Sequence, residues 1–274
     1  MKEDVGKGGL EVSSAPEPAA PRRLAAPRAT EAPPKRARPR GTWPPRPHVI
    51  LFLAANPGGT TRLALDEECS AIERELQMAP GRDDFDFRSK WAVSVDEMMR
   101  CLNELQPMII HFSGHACAAQ AGPGGGARVP GGASGRPGRD IEPTGGSTGD
   151  TGIYLQDTCV TGPALAQMIA SAAPAARVLV LNACSSDTVA ESLRKKIDCV
   201  VSMNGVVGDD AARSFAVGFY RALGNRRSVG NSVAQAVATL AAKQLPDAHL
   251  PVCRTRDGIS ADQLFLRPRD LHQP

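Results

Sequence analysis

From His48 onward, short apolar runs of strand length alternate with segments whose apolar residues recur at helical spacing. The first run, residues 48–55, is continuous and ends at the turn signal Asn56-Pro57-Gly58-Gly59, which is typical of a strand buried on both faces. Residues 65–76 then carry an apolar stripe with charged residues such as Glu68 between its members, and Pro80-Gly81 ends that helix.

The same alternation continues along the chain. Ser94 with Glu97 forms a capping box that predicts the start of a second helix. Further strands are predicted at 85–93, 108–112, 176–181 and 198–203, with a small hairpin at 152–155 and 159–160 and a last edge strand at 264–266. Further helices are predicted around 163–169, 189–193, 215–223 and 229–240. This order predicts an α/β fold with a mostly parallel central sheet and helices on both faces.

Two segments of biased composition divide the chain. Residues 1–47 hold ten of the 23 prolines and almost no large apolar side chains, so we predict a disordered tail there. Residues 118–152 hold 12 of the 27 glycines, and we predict a disordered insertion. The folded domain is expected over 48–268, followed by a short C-terminal tail at 269–274.

Charge is also divided unevenly. The tail carries ten Lys or Arg against five Asp or Glu, whereas the rest carries 22 against 24. The basic run 34–40 is read either as a nuclear-import or nucleic-acid patch or as a solvated linker. No apolar stretch reaches the ~18 residues of a membrane span, and no secretory signal is evident. We expect a cytoplasmic protein, nuclear if the tail acts as an import signal, whose core binds neither membrane nor nucleic acid.

Two predicted strands end in residues suited to nucleophilic catalysis. The third strand leads into Ser113-Gly114-His115, and the strand at 176–181 leads into Asn182-Ala183-Cys184. Chemistry in parallel sheets collects outside the carboxyl ends of the strands. A histidine there can take the proton of a thiol and return it to a leaving amine. We therefore predict His115 as base and Cys184 as nucleophile, the alternative being a buried structural thiol.

The neighbours of this pair have expected roles. Backbone N–H groups of Gly114, Ala116 and Cys184 are the candidate donors to an oxyanion. Three further residues are expected to lie next to the dyad and to hold it in position: His111, Ser113 and Asn182.

Other chemistries are disfavoured. One metal ion cannot join His111 and His115 on a strand, because four residues at ~3.3 Å rise lie about 13 Å apart. The sequence contains no GxxxxGK[ST], the signature of a P-loop. Its GxSxG match, residues 145–149, lies in the glycine-rich segment and not at the strand-to-helix turn that a serine-hydrolase site needs. Seven scattered cysteines without a CxxC pair argue against a disulfide framework and a zinc site, so most are expected to be reduced. We expect no cofactor and no metal.

Four segments resemble the CHAT family in the order that this family has. They are Phe52 to Pro57, His111 to His115, Leu181 to Ser185, and Gly208 to Ala212. The resemblance covers about residues 48–243. It implies a caspase–haemoglobinase fold and a caspase-like cysteine peptidase, related to separases, that hydrolyses protein or peptide substrates through its His/Cys dyad. It also implies regulation by a protein partner in a defence, stress or cell-death pathway.

Single residues extend or qualify this resemblance. An acidic residue after the cysteine receives a basic P1 side chain in separases, which implies Asp209 or Asp210 here. The alternative is that Asp209 caps a helix and pairs with Arg213. Ala116 stands where the family usually has glycine, and an added Cβ would weaken or abolish activity if this position needs a positive φ or a very close approach of the substrate. A catalytically silent CHAT domain that binds a protein partner is therefore the alternative function.

Overall fold

A computed structural model describes residues 47–118 and 151–266. The predicted disordered tail at 1–47, apart from Pro47, lies outside the described residues. The same holds for the predicted C-terminal tail at 269–274 and for the predicted insertion at 118–152, apart from its two ends.

Strands and helices alternate along most of the described chain. The strands are β1 (His48–Ala54), β2 (Phe85–Trp91), β3 (Ile109–Ser113), β4 (Ala116–Ala118), β5 (Thr151–Tyr154), β6 (Cys159–Thr161), β7 (Val178–Asn182), β8 (Cys199–Met203) and β9 (Pro251–Thr255). The helices are α1 (Leu65–Met78), α2 (Val95–Leu105), α3 (Gly162–Ala172), α4 (Asp187–Leu193), α5 (Asp209–Gly224) and α6 (Val229–Ala242).

Six strands form the central sheet in the order β2-β1-β3-β7-β8-β9. Only the β8–β9 pair is antiparallel. Successive residues of β1 point to opposite faces, so Ile50 and Phe52 pack with α1, α5 and α6, whereas Leu51 and Leu53 pack with α2, α3 and α4. The predicted α/β class, a mostly parallel sheet with helices on both faces, is confirmed.

The strand order reverses between β1 and β3. The chain leaves β1 toward β2 on one side, and α2 then brings it back to β3 on the other side. Such a reversal opens a crevice at the carboxyl ends of the strands. The residues that follow β1, β3 and β7 therefore meet at one edge of the sheet.

Two strand predictions are wrong. Residues 264–266 form no strand. Leu264 and Leu266 are buried in the core instead, and the Leu264 carbonyl accepts from Val229 N–H at the start of α6. The strand at the edge of the sheet next to β8 is β9. The second strand ends at Trp91 rather than continuing to Val93, because Ala92 adopts a φ of 51° that breaks extended pairing.

The cysteine prediction needs one correction. Cys117 on β4 and Cys159 on β6 form a disulfide, while the other five cysteines are free. The hairpin β5–β6 was predicted, but β4 was not. β4 pairs with β5 and so brings Cys117 beside Cys159 in a three-stranded sheet.

Candidate active site

A cavity of about 280 Å³ lies at the carboxyl edge of the sheet. Its wall contains both His115, two residues beyond β3, and Cys184, two residues beyond β7. These two strands are neighbours, and the last residues that they pair are Ser113 and Asn182. The topology therefore places the two proposed dyad residues on the same cavity, each half-buried.

A backbone carbonyl orients the His115 ring. Nε2 of His115 lies 2.8 Å from the carbonyl oxygen of Thr61. A carbonyl can only accept, so Nε2 carries the proton. In the neutral ring Nδ1 is then the nitrogen that has a free lone pair and can accept a proton.

The loop after β1 holds the Thr61 carbonyl in place. Asn56 closes this loop in both directions: its Nδ2 donates to the Leu63 carbonyl at 3.0 Å, and its Oδ1 accepts from Leu63 N–H at 3.2 Å. Within the loop, Thr60 Oγ1 donates to the Pro57 carbonyl at 2.8 Å. The turn predicted at residues 56–59 thus begins a closed loop, and the Thr61 carbonyl of this loop is the hydrogen-bond acceptor of His115.

Cys184 lies in the turn that connects β7 to α4. The Val207 N–H donates to its sulfur at 3.4 Å, and the thiol lies 3.6 Å from the Val207 carbonyl. The next residue, Ser185, has a φ of 49°, in the left-handed region, and its N–H donates to the Gly205 carbonyl at 2.7 Å. The chain thus turns sharply just after the sulfur-bearing residue, leaving Cys184 in the cavity wall.

A buried carboxylate lies behind the two strand ends. Glu68 on α1 is 4% exposed. Its Oε1 accepts from Nε2 of His111 at 2.9 Å and from Nδ2 of Asn182 at 2.7 Å, and its Oε2 accepts from Ser113 Oγ at 2.6 Å. All three expected supporting residues therefore donate to one carboxylate.

This carboxylate is ionised because of its donors. Burial acts to raise the pKa of Glu68, but the hydrogen bond and charge interaction with His111, together with the bonds from Ser113 and Asn182, lower the pKa below its usual value. His111 is fully buried, and its Nδ1 lies 3.1 Å from the Tyr220 hydroxyl. Burial, reinforced by the charge of Glu68, raises the pKa of Tyr220, so this hydroxyl keeps its proton.

Asn182 leaves one buried acceptor without a partner. Its Nδ2 donates to Glu68 and also to the Ala212 carbonyl at 3.2 Å. Both partners are acceptors, so the amide cannot be reversed without opposing oxygen to oxygen. Among the buried side-chain N and O atoms of the described residues, only Oδ1 of Asn182 has no hydrogen-bond partner. Asn182, Glu68 and Asp209 all line the cavity.

The two candidate pocket aspartates occupy different places. Asp209 lines the cavity and Asp210 does not. The capping alternative for Asp209 is wrong: Gly208 is the N-cap of α5, and no side chain caps the helix. Asp210, rather than Asp209, pairs with Arg213 at 2.5 Å.

Ala116 does not adopt the positive φ at which its Cβ would be strained. It begins β4 and pairs with Ile153, and it is not among the described residues with positive φ. Its Cβ therefore has no left-handed penalty. Glycine is needed earlier, at Gly114, where an added Cβ would lie 2.7 Å from the Ala55 carbonyl oxygen.

Sequence reasoning missed Glu68 and Thr61. Glu68 was grouped with the exposed charges, yet it lies three residues after Leu65 and four before Ile72, on the buried face of α1. An acidic residue on an apolar helix face was the available signal. Thr61 contributes only its backbone carbonyl, and no residue type encodes that.

Two further features are absent from the part of the chain that the structure describes. There, no three His, Cys, Asp or Glu side chains cluster in a way that could hold a metal ion. Within the same ranges, no helix combines the length and apolarity that a membrane crossing requires.

The fold and the cavity define an α/β protein that presents a histidine and a cysteine at adjacent strand ends. The model of the CHAT domain family matches residues 35–257, and the chain belongs to this family. The match extends beyond both ends of the resemblance noted from the sequence. The caspase–haemoglobinase fold that this resemblance implies agrees with the six-stranded, mostly parallel sheet.

Two relatives are similar to this chain at low sequence identity. A Roc-COR-CHAT protease from an unknown prokaryotic organism is 25% identical over 208 residues, which are 72% of this chain and 17% of that protein. A probable protease from Gillisia limnaea is 31% identical over 67 residues, 24% of this chain and 12% of that protein. The chain thus spans less than a fifth of the length of either relative.

A comparison of structures finds caspases among the similar folds. Caspase-1 from Spodoptera frugiperda superposes with a TM-score of 0.48 at 11% identity, covering 83% of this chain and 92% of that chain.

Proposed function

We propose that the protein is a cysteine endopeptidase in which Cys184 is the nucleophile and His115 the general base. The observation that carries this proposal is the cavity at the strand ends, where both residues lie with Nε2 of His115 hydrogen-bonded to the Thr61 carbonyl. That bond reserves Nδ1 for proton transfer. Membership of the CHAT domain family and the name of the Roc-COR-CHAT protease support the same class of reaction.

The proposed reaction proceeds through an acyl-enzyme. Nδ1 of His115 takes the thiol proton of Cys184, and the sulfur attacks the carbonyl carbon of the peptide bond. Backbone N–H groups of Ala116 and Cys184 are the proposed donors to the oxyanion. The N–H of Gly114, also expected as a donor, is instead directed at the Asn182 carbonyl at 3.5 Å. The imidazolium gives its proton to the leaving amine as the C–N bond breaks. Water, deprotonated by His115, then hydrolyses the thioester and releases the thiol.

We further propose that the cavity receives the P1 side chain and prefers lysine or arginine. Glu68, Asn182 and Asp209 line it, and their side-chain oxygens are hydrogen-bond acceptors, of which the buried Oδ1 of Asn182 has no partner. The basic side chain among the lining residues, Arg213, is paired with Asp210 and Glu67. A cationic donor would supply the missing partner of Asn182. Asp210 is not part of this proposed pocket.

Protein substrates and regulation by a protein partner belong to the same proposal. The relatives are named as proteases, and the resemblance to caspase-like peptidases favours cleavage of few targets in a defence, stress or cell-death pathway. The alternative is a silent binding domain, and the unstrained backbone of Ala116 removes one of the two reasons for it, the other being a close approach of the substrate to this Cβ.

A peptide library with varied P1 residues tests the proposal. We expect cleavage after Lys or Arg by the wild-type chain, loss of cleavage in Cys184→Ala, and unchanged cleavage in Cys253→Ala, a free, half-buried cysteine that does not line the cavity. Cleavage after acidic or apolar residues would refute the pocket assignment. Absence of any cleavage that depends on Cys184 would favour the binding domain.

A further inference from the structure

One carboxylate joins the two strands that carry the proposed dyad. Ser113 and Asn182 are paired residues on β3 and β7, and each precedes a dyad residue by two positions. Glu68 accepts from Ser113 Oγ through Oε2 and from Asn182 Nδ2 through Oε1. The side chain therefore forms a bridge across the strand ends from which His115 and Cys184 continue.

The bridge also includes the helix beside the His115 acceptor. Glu68 lies in the first turn of α1, which starts at Leu65, four residues after Thr61. The Thr61 carbonyl in turn accepts from His115 Nε2. Glu68 thus connects β3, β7 and α1, the three elements that position the histidine, the cysteine and the acceptor of the histidine.

Burying a carboxylate on this face of α1 is energetically unfavourable unless hydrogen-bond donors compensate it. Leu65, Ile72 and Leu76 make this face of α1 apolar, and a leucine at position 68 would continue it. A buried carboxylate must be compensated by hydrogen bonds or charge. Replacing a whole buried polar network with apolar residues is often neutral or stabilising, whereas removing one partner is destabilising because the others stay buried without it. An apolar core at this place would therefore need neither Glu68 nor its donors, whereas three donors converging on two oxygens require an acceptor of this kind.

We infer that Glu68 is a positioning residue whose carboxylate, bridging Ser113 and Asn182, fixes the separation of the strand ends and thereby aligns His115 with Cys184. This inference rests on the proposed peptidase function. Misplacement of reacting groups by about 1 Å costs on the order of 100-fold in rate, so small movements of the strand ends are sufficient to impair proton transfer.

Alkylation of Cys184 by iodoacetamide tests the alignment without a substrate. The rate at neutral pH is followed by peptide mass spectrometry in wild type, His115→Ala, Glu68→Leu and Glu68→Gln. We expect Glu68→Leu to be less stable, because three buried donors lose their acceptor, and, where folded, to slow alkylation about tenfold, toward the rate of His115→Ala. A merely structural role predicts the opposite sign, because a loosened fold exposes the thiol and speeds alkylation.

Glu68→Gln keeps the inference testable if the leucine variant does not fold. Its Oε1 can still accept from His111 and Asn182, while Nε2 donates to a reoriented Ser113 hydroxyl, so we expect partial rescue of the alkylation rate. With a cleaved peptide, kcat should fall about 10- to 100-fold in Glu68→Leu with little change in KM. Glu73→Gln, an exposed change on the same helix, should match wild type.

The outcomes separate the two proposals. If wild type is alkylated no faster than His115→Ala, the proposed dyad is wrong. If wild type is fast and the Glu68 variants are equally fast with wild-type kcat, the dyad stands and the positioning role of Glu68 is refuted.

Discussion

Nε2 of His115 lies 2.8 Å from the carbonyl oxygen of Thr61, a contact between a side chain after β3 and the backbone of the loop after β1. The loop keeps its shape through the two hydrogen bonds between Asn56 and Leu63. The orientation of the proposed base therefore depends on an asparagine that does not line the cavity.

Asn56→Ala should lower kcat/KM about tenfold or more, because the loop loosens and His115 loses the acceptor that fixes its tautomer. Asn103→Ala is the matched control, since the Asn103 amide donates to a carbonyl on the exposed surface of α2. Peptide hydrolysis measures both variants. Equal activity of the two would show that the Thr61 contact is unimportant for the base.

Because of Glu68, the free energy of unfolding should depend on pH in the acidic range. Its folded-state pKa lies below the usual 4.5, so the stability it contributes is complete above the unfolded-state value and is lost as the pH falls through the folded-state value. Urea unfolding of wild type and Glu68→Gln should therefore give a difference in free energy that is largest near neutral pH and shrinks in acid. A difference that grows in acid would contradict an ionised Glu68.

The disulfide between Cys117 and Cys159 should stabilise the domain under oxidising conditions. It joins residues separated by 42 positions, and such a bond contributes about 2–4 kcal/mol by restricting the unfolded chain. The double variant Cys117→Ser/Cys159→Ser should lose about this free energy of unfolding and become insensitive to reductant. Wild type that unfolds identically with and without dithiothreitol would show that the bond is absent.

Asp209 should contribute to the choice of a basic P1 residue. We expect Asp209→Asn to raise KM for peptides with P1 arginine by several-fold, a modest effect because the carboxylate is exposed and screened. Asp83→Asn is the control, since Asp83 is exposed and lies outside the cavity lining. KM values that rise equally in both variants would indicate a general charge effect instead of a pocket contact.

Much of this architecture was predictable because burial leaves a clear pattern. The apolar runs of β1 and β7 are typical of strands covered on both faces, and parallel pairing then places His115 and Cys184 at one edge of the sheet. The role of Glu68 was not predictable in detail, because its donors lie at least 43 positions away along the chain.

Other missed features have equally physical causes. β4 is three residues long, and its partner β5 lies beyond the glycine-rich segment. No local sequence pattern therefore predicts the pairing of these strands or the disulfide. β9 is half-buried along its length, which removes the apolar signal of an inner strand. Leu264 and Leu266 gave that signal instead, although they pack in the core without joining the sheet.

The central claim is that His115 activates Cys184, and a peptidyl acyloxymethyl ketone with a P1 lysine tests it most directly. Intact-mass and peptide analysis should show one added label, on Cys184, with Cys69 unmodified because burial raises the pKa of that thiol to about 11. Labelling should vanish in Cys184→Ala and fall at least tenfold in His115→Ala. Labelling of Cys184 at the same rate with and without His115, or no labelling of Cys184 at all, would contradict the account.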